Sequence, residues 1–141
     1  MDYLIRVLHG FGAIAVGFYL LLPFITGKLA SLKGDSLRGF TKVMFSLNRI
    51  GQYILIFQFI SGGYLISQAQ YTWTWIIVVL AVFLIVGALP GVMGSSFKRI
   101  LKQDSNETVI QQSISRVSTL SILISICLLI LIFMMYYPAF R

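Results

Sequence analysis

Three long stretches of the chain contain no charged residue. Asp, Glu, Lys and Arg are all absent from Val7 to Gly27, from Ile50 to Phe97 and from Val117 to Phe140. A helix rises about 1.5 Å per residue and the hydrocarbon core of a bilayer is about 30 Å thick, so about 20 residues cross once. The first and last stretches therefore each predict one transmembrane helix. The first is also too long for the apolar region of a cleavable signal peptide, so we expect it in the mature protein.

The middle stretch is long enough for two crossings. As one helix it would extend about 72 Å, so we expect it to fold back at the polar, uncharged segment from Ser67 to Thr72. Its apolar residues are continuous rather than alternating, which favours helices over a barrel in a solvent where every backbone amide must be satisfied internally. The chain is therefore predicted to be an all-α, four-transmembrane-helix bundle in one domain, with spans at about residues 4–26, 44–66, 73–96 and 114–137.

Prolines and a capping pattern predict where individual helices bend, end or begin. Pro90 is expected to kink or end the third helix, and Pro23 to bend the first. Asp104 and Glu107 have the spacing of a capping box, and apolar residues then recur on one helical face. We therefore predict a fourth helix from about Ser105 to Tyr137, roughly 50 Å long and so longer than the bilayer core.

The composition and the placement of charge predict a membrane protein of defined orientation. Apolar residues make up 58% of the 141 residues and charged residues 11%, against about 25% charged in a soluble domain. Most basic residues lie in two segments, between the first two helices and between the last two: Lys28, Lys33, Arg38, Lys42 and Arg49, then Lys98, Arg99, Lys102 and Arg116. The positive-inside rule predicts that both basic loops are cytoplasmic and both termini outside, in the bacterial cytoplasmic membrane.

Aromatic residues predict the same orientation by different physics. Tyr and Trp rings prefer the headgroup level of a bilayer, and most of those in this chain fall near the predicted outer ends of the helices. They are Tyr3, Tyr64, Tyr71, Trp73, Trp75, Tyr136 and Tyr137. The net charge of +7 predicts contact with anionic lipids, at about 1 kcal/mol per basic residue near the surface. Because there is no separate basic domain, nucleic acid is not expected as a partner.

Small residues predict which helix faces pack inside the bundle. Helices in lipid associate through close contacts at glycine and alanine and through interhelical hydrogen bonds. The first helix carries small residues on the same face as His9, so this histidine is expected to point toward another helix. The third helix has a GxxxG motif with a further glycine beyond it. The predicted packing positions are Gly12, Ala13, Gly17, Gly87, Gly91 and Gly94.

The second helix carries the polar residues expected inside the bundle. Asn48 and Gln52 are one turn apart and share a face, and Gln58 and Ser61 follow toward the outer end. We interpret these side chains as sources of interhelical hydrogen bonds. No Asp, Glu, Lys or Arg lies deep in any predicted span, which argues against a proton-coupled transporter or pump.

His9 is the one residue that suggests a cofactor or metal site. It is the single histidine, and it lies near the predicted outer interface at the same level as Met134 and Met135. One imidazole with one or two thioethers suits Cu(I), or supplies axial ligands to haem b. Simple packing of His9 against another helix is the alternative. The single cysteine, Cys127, is interpreted as a buried apolar thiol.

Several short segments resemble the CopD and HemJ group of small membrane proteins. The first helix carries Leu8-His9, Gly12-Ala13, and Gly17 followed by Tyr19-Leu20-Leu21-Leu22-Pro23. The resemblance continues in Gly62-Gly63-Tyr64-Leu65 and in a Trp-led third helix that ends at Lys98-Arg99. It implies a four-helix membrane fold and matches His9 to the histidine of the group's first helix. HemJ-like proteins are associated with porphyrin oxidation and bound haem, and CopD-like proteins with copper handling at the outer membrane face.

This chain lacks two residues of the HemJ-like pattern. The third helix of that pattern carries a lysine soon after its tryptophan and a histidine further along, whereas Trp75 is followed here by Ile76 and Ile77, and Val86-Gly87-Ala88 has no histidine. The resemblance is therefore closest to small four-helix relatives of CopD that carry no assigned activity. It does not imply porphyrin oxidation.

Three functional hypotheses follow from the sequence. The first is a non-catalytic accessory or assembly protein that meets a membrane protein partner, or further copies of itself, through its basic segments and glycine-lined faces. The second is a haem- or copper-binding protein that uses His9 with Met134 or Met135. The third, a small transporter, is disfavoured by the absence of charge inside the spans.

Overall fold

The computed structural model describes residues 1–102 and 106–137. Within these ranges the chain forms five α-helices and one short 3₁₀ turn. The elements are α1 (Asp2–Val16), α2 (Phe18–Thr26), the 3₁₀ turn Leu29–Ser31, α3 (Gly34–Ser67), α4 (Trp73–Leu101) and α5 (Glu107–Tyr136).

The prediction of an all-α chain with four helical segments able to cross a membrane is confirmed. The segments that are long and apolar enough are Asp2–Ser31, Gly34–Ser67, Trp73–Leu101 and Glu107–Tyr136. At about 1.5 Å per residue, the 34 residues of α3 and the 30 of α5 extend about 51 and 45 Å. Both therefore exceed the hydrocarbon thickness. The proposed cap at Asp104 and Ser105 lies outside the described residues, and α5 begins at Glu107.

The two ends of the bundle are distinguished by what they carry. At one end, the Tyr64 hydroxyl donates to Asp2 Oδ1 at 2.8 Å, and Trp75 Nε1 donates to the Met134 carbonyl at 3.3 Å. These bonds join the start of α1 to the end of α3, and the start of α4 to the end of α5. We call this end, which contains residues 1 and 137, the terminal end, and the opposite end the basic end.

The first span changes its packing partner along its length. Its first half, α1, packs against α3, whereas its second half, α2, packs against α5. The change occurs at Gly17, where the Leu20 amide bonds to the Gly17 carbonyl at 3.0 Å in a 3₁₀-type turn. Pro23 stands inside α2 and cannot donate a backbone hydrogen bond, so the regular helix is weakened on this side of the span. The remaining contacts, α3 with α4 and α4 with α5, complete the bundle.

A buried hydrogen-bond network joins three helices in the basic half of the bundle. The Tyr19 hydroxyl donates to the Asn48 carbonyl at 3.2 Å and lies 3.3 Å from Asn48 Oδ1. Asn48 Nδ2 in turn donates to the Pro90 carbonyl at 2.9 Å. Tyr19 is 0% and Asn48 1% exposed, so these bonds form without competing water or lipid. The network therefore ties α2, α3 and α4 together.

A second buried pair joins the first span to the last. Thr26 Oγ1 lies 3.0 Å from Ser121 Oγ, across the contact between α2 and α5. Both side chains are almost fully buried. Each hydroxyl also donates to a carbonyl of its own helix, Thr26 to Pro23 and Ser121 to Ser118, so the pair adds an interhelical hydrogen bond to side chains that are already satisfied.

The expected packing at Gly87 and Gly91 is not met within the described bundle. Both glycines are exposed, and a Cβ added to either meets nothing within 4 Å. The buried face of α4 carries Val86, Pro90 and Met93 instead. Gly87 and Gly91 each follow one position later, which rotates them about 100° away from that face. The prediction that their motif packs inside the chain is therefore wrong.

Two other predictions for α4 concern Gly94 and Pro90. Gly94 is buried, and its added Cβ would lie 3.7 Å from Asn48 Nδ2 and 3.8 Å from Phe45. Pro90 is expected to kink or end α4; the helix continues through it to Leu101, so Pro90 does not end the helix. At this point Asn48 Nδ2 of α3 donates to the Pro90 carbonyl, so a neighbouring helix bonds to the backbone of α4 beside the proline.

Candidate ligand cavity

A cavity of about 260 Å³ lies in the terminal half of the bundle. All four spans line it: α1 with Ala13, α3 with Phe59, α4 with Val79 and α5 with Leu131, among others. It exists because α1 packs against α3 while α5 packs against α2 and α4, so small residues such as Ala13 leave space between α1 and α5. Among the described residues that line it, His9 and Gln58 provide the polar side chains.

Ser61 holds the His9 ring in a defined orientation. His9 Nδ1 lies 2.8 Å from Ser61 Oγ, and Ser61 Oγ donates to the Phe57 carbonyl at 2.8 Å. A serine hydroxyl has one proton, and here that proton forms the hydrogen bond to the Phe57 carbonyl. With the Ser61 proton in the bond to the Phe57 carbonyl, the arrangement that satisfies both contacts has Nδ1 donating to Ser61, which places the lone pair of a neutral ring on Nε2.

A glycine of α3 allows the imidazole to approach this closely. A Cβ added to Gly62 would lie 3.2 Å from His9 Cε1. His9 is half-buried in the structure, and no described residue forms a hydrogen bond with Nε2. Nε2 is therefore the ring nitrogen that can still accept a hydrogen bond or bind a metal.

Gln58 is the second polar group at the cavity. It is 6% exposed, and its amide covers Gly12, where an added Cβ would lie 2.8 Å from Oε1 and 3.5 Å from Nε2. Oε1 is buried without a hydrogen-bond partner among the described residues. An unsatisfied buried polar group costs about 1–3 kcal/mol. The sequence predicts an interhelical hydrogen bond at Gln58, and the structure instead shows its Oε1 buried without a partner among the described residues.

The structure places the two methionines differently. Met135 lines the same cavity as His9. Met134 packs its side chain against the core, while its carbonyl accepts the Trp75 indole hydrogen bond. Of the two thioethers predicted to accompany His9, only that of Met135 therefore shares its cavity.

The other residues singled out in the sequence lie in several different places. Gly12 and Ala13 belong to the cavity region, whereas Gly17 marks the interruption between α1 and α2. Gln52 is half-buried and does not line the cavity. Cys127 is half-buried and free.

Sequence reasoning missed the aromatic lining. Phe59 of α3 and Phe83 of α4 both line the cavity, with ring centroids 5.7 Å apart. In an apolar span a phenylalanine that faces a cavity has no pattern that distinguishes it from one that faces lipid. A helical-wheel signal was available only for His9, because small residues accompany it on one face.

The donor set limits what metal chemistry this site supports. Among residues 1–102 and 106–137, no group of three or more His, Cys, Asp or Glu side chains could hold a metal ion. The soft or axial donors in the cavity are one imidazole nitrogen and the thioether of Met135. This pair fits a low-coordinate Cu(I) or one axial arrangement at haem iron, and no richer coordination.

Comparison with protein-family models, with curated proteins and with solved structures finds no match for this chain. The resemblance to the CopD and HemJ group thus remains a prediction carried by its short motifs.

Proposed function

We propose that this chain is a non-catalytic accessory protein of the bacterial cytoplasmic membrane that binds a small membrane-soluble ligand in the cavity. The observation that carries the proposal is the buried, unpartnered Oε1 of Gln58 in the same cavity as the His9 imidazole that contacts Ser61, where the remaining lining is apolar. Natural ligand pockets share this design, in which apolar walls bury the ligand and a few polar groups orient it. A packed bundle without a ligand would gain nothing from the stranded amide.

The proposal includes an orientation. With both basic segments in the cytoplasm and both termini outside, the cavity lies in the outer half of the membrane. A ligand would then enter from the outer leaflet, where exposed side chains such as Phe59 and Met135 border the cavity. The basic segments would face anionic lipids of the inner leaflet.

The proposal is tested by filling the cavity. Ala13 lines the cavity and is exposed, so Ala13→Phe should occupy the space without breaking the bundle. Ile14 is the next residue and is 76% exposed away from the cavity, so Ile14→Phe is the matched control. Organic extracts of the purified proteins, analysed by mass spectrometry, should contain a small molecule with the wild type and Ile14→Phe that is depleted at least about tenfold in Ala13→Phe, the loss that about 1.4 kcal/mol of binding energy represents.

Two results would contradict this proposal. Identical extracts from all three proteins would show that the cavity retains nothing from the membrane. Equal depletion in Ala13→Phe and Ile14→Phe would show that the added ring on α1, rather than the lost cavity, was responsible.

Haem or copper handling is the second candidate function, and the 2.8 Å contact of His9 Nδ1 with Ser61 favours it. A histidine that binds a metal through one ring nitrogen ordinarily donates a hydrogen bond from the other nitrogen to a fixed acceptor. Nδ1 of His9 has such a partner in Ser61. His9 Nε2 and the Met135 thioether would hold the group, and bound haem or copper would supply electron-transfer or metal-transfer chemistry.

An absorption spectrum and a metal analysis of the purified protein test the second candidate. A Soret band or stoichiometric copper, lost in His9→Ala and retained in Met134→Leu, would support it. A protein that is colourless, free of metal and unchanged in thermal stability by added Cu(I) would exclude it.

A further inference from the structure

We propose that a cleft at the basic end of the bundle binds a phosphate ester that carries an ammonium group, the chemistry of a phosphatidylethanolamine headgroup. The cleft has a volume of about 180 Å³ and lies between the start of α3, the end of α4 and the first turn of α5. It shares no described lining residue with the cavity in the terminal half. This second site therefore goes beyond the proposed function and does not depend on it.

Both signs of charge line the cleft. Arg38 of α3 and Lys102, which follows α4, contribute two positive charges, and Asp35 of α3 contributes one negative charge. Asp35 and Arg38 are three residues apart in one helix, so they share a face. None of the three forms an ion pair or a side-chain hydrogen bond with another residue of the described chain. Their charges are therefore available to a ligand that carries both signs.

The burial of the lining residues separates an apolar floor from a charged mouth. Leu37 and Ile100 are 7% and 5% exposed. Arg38 is half-buried, whereas Asp35 and Lys102 are exposed. A guanidinium binds phosphate through two parallel hydrogen bonds, and a lysine ammonium adds a point charge. Arg38 is therefore the principal contact for the phosphate, and Asp35 is the contact for the ammonium group of the ligand.

The position of the cleft along α4 favours a lipid headgroup. Trp73 begins α4 and Ile100 lines the cleft, so about 40 Å separates them along the helix axis at about 1.5 Å per residue. A bilayer with both headgroup layers is about 40–45 Å thick. With Trp73 at one headgroup level, where indole rings concentrate, the cleft lies at the other.

Asp35 is the reason to expect a head with both charges. A simple anion would be attracted by the two basic side chains and repelled by the carboxylate that lines the same cleft. A primary ammonium group donates hydrogen bonds to a carboxylate, whereas the quaternary nitrogen of a choline head has no hydrogen to donate. A lipid attracted only by the net charge of +7 would instead be anionic. The ethanolamine head therefore fits the cleft better than either alternative.

Two lipids of equal net charge test the ammonium group. Dihexanoyl phosphatidylethanolamine and dihexanoyl phosphatidylcholine differ only in the methylation of the head nitrogen. Thermal unfolding of the whole protein in an uncharged detergent, measured against the concentration of each lipid, gives its apparent Kd. We expect the wild type to bind the ethanolamine lipid about three- to fivefold more tightly, as for an exposed ion pair of good geometry.

Substitutions separate the contacts of the two charges. Asp35→Asn removes the carboxylate, so the preference for the ethanolamine lipid should disappear. Arg38→Gln removes a half-buried guanidinium, so both lipids should bind about tenfold more weakly while the preference remains. Lys42→Gln removes the same charge one turn further along α3 and outside the cleft, so it should change neither value.

Free phosphoethanolamine distinguishes a lipid from a soluble ligand. A lipid site should bind this water-soluble compound much more weakly than the ethanolamine lipid, whereas equal affinity would assign the same chemistry to a soluble phosphate ester.

Three results would overturn the site. They are equal affinity of the wild type for the two lipids, a preference that survives in Asp35→Asn, and a loss in Lys42→Gln as large as that in Arg38→Gln. An unfolding temperature that neither lipid nor free phosphoethanolamine changes would overturn it as well.

Discussion

At the scale of single residues, Tyr19 does more for the fold than its place in the sequence suggests. It lies in the apolar segment that leads to Pro23 and has no polar neighbour in the sequence, yet it is fully buried and bonds to Asn48. Its hydroxyl satisfies the same amide group that reaches the Pro90 carbonyl. In this network one hydroxyl therefore supports contacts of three helices.

Tyr19→Phe should test this network. The substitution keeps the ring and removes the hydroxyl, so it should lower the free energy of unfolding by about 0.6–1.5 kcal/mol, the range of one interhelical or buried hydrogen bond. Tyr53 is 65% exposed, so Tyr53→Phe is the matched control and should have no effect. Equal stability of all three proteins, measured by denaturant titration in detergent, would show that the network contributes nothing net.

At the scale of the helix, the packing of a glycine depends on the face it occupies rather than on its motif. Gly51 has no small residue one turn away, yet its added Cβ would lie 2.5 Å from the Tyr19 hydroxyl oxygen and 2.9 Å from Phe18. Gly87 and Gly91 have the GxxxG spacing, but a Cβ added to either would meet nothing within 4 Å in the described chain. A motif on one helix specifies a smooth surface, and only the neighbouring helices determine what that surface meets.

Gly51→Ala and Gly87→Ala should therefore have opposite effects. The methyl group at Gly51 would collide with the buried Tyr19 ring and the half-buried Phe18 ring, and we expect a loss of about 1–3 kcal/mol in unfolding free energy. At Gly87 the methyl group meets open space, so stability should stay the same or rise by up to about 1 kcal/mol through helix propensity. Thermal unfolding of both variants measures the difference. A larger loss for Gly87→Ala than for Gly51→Ala would show that the outward face of α4 is covered by another protein.

At the scale of the whole molecule, the sequence predicts the spans well because bilayer thickness and charge are strong, additive constraints. An uncharged stretch such as Val7 to Gly27 predicts one membrane-spanning helix. The structure has four helical segments of sufficient length and apolarity. The cavity has no such signature. It depends on the shapes of many side chains on four helices and on the change of partner at Gly17, none of which is encoded by the period of a single helix.

The candidate site was accordingly predictable only in part. His9 could be placed on an interior face because small residues accompany it, and Met135 could be placed at the same level from the topology alone. The unpaired state of Gln58 could not be foreseen, because a polar residue in a predicted span is equally suited to a hydrogen bond.

The predicted orientation of the whole molecule is tested by cysteine labelling in intact cells. Ser67 is exposed at the terminal end and Ser31 is exposed at the basic end, so each accepts a cysteine in a Cys127→Ser background. A membrane-impermeant maleimide should label Ser67→Cys directly, and Ser31→Cys only after the membrane is permeabilised. The reverse pattern would place the cavity in the inner half of the membrane and both termini in the cytoplasm.

The change of partner at Gly17 also divides the first span into two parts with different opening equilibria. The amides of α1 are protected by contact with α3, whereas those of α2 share the protection of α5 and of the Tyr19 network. Hydrogen exchange in the middle of α1 should therefore be faster than in the middle of α2, although both belong to one continuous crossing. A ligand that bridges α1 and α3 would slow hydrogen exchange in α1 but not in α2. The exchange rate of α1 therefore reports whether the cavity is occupied.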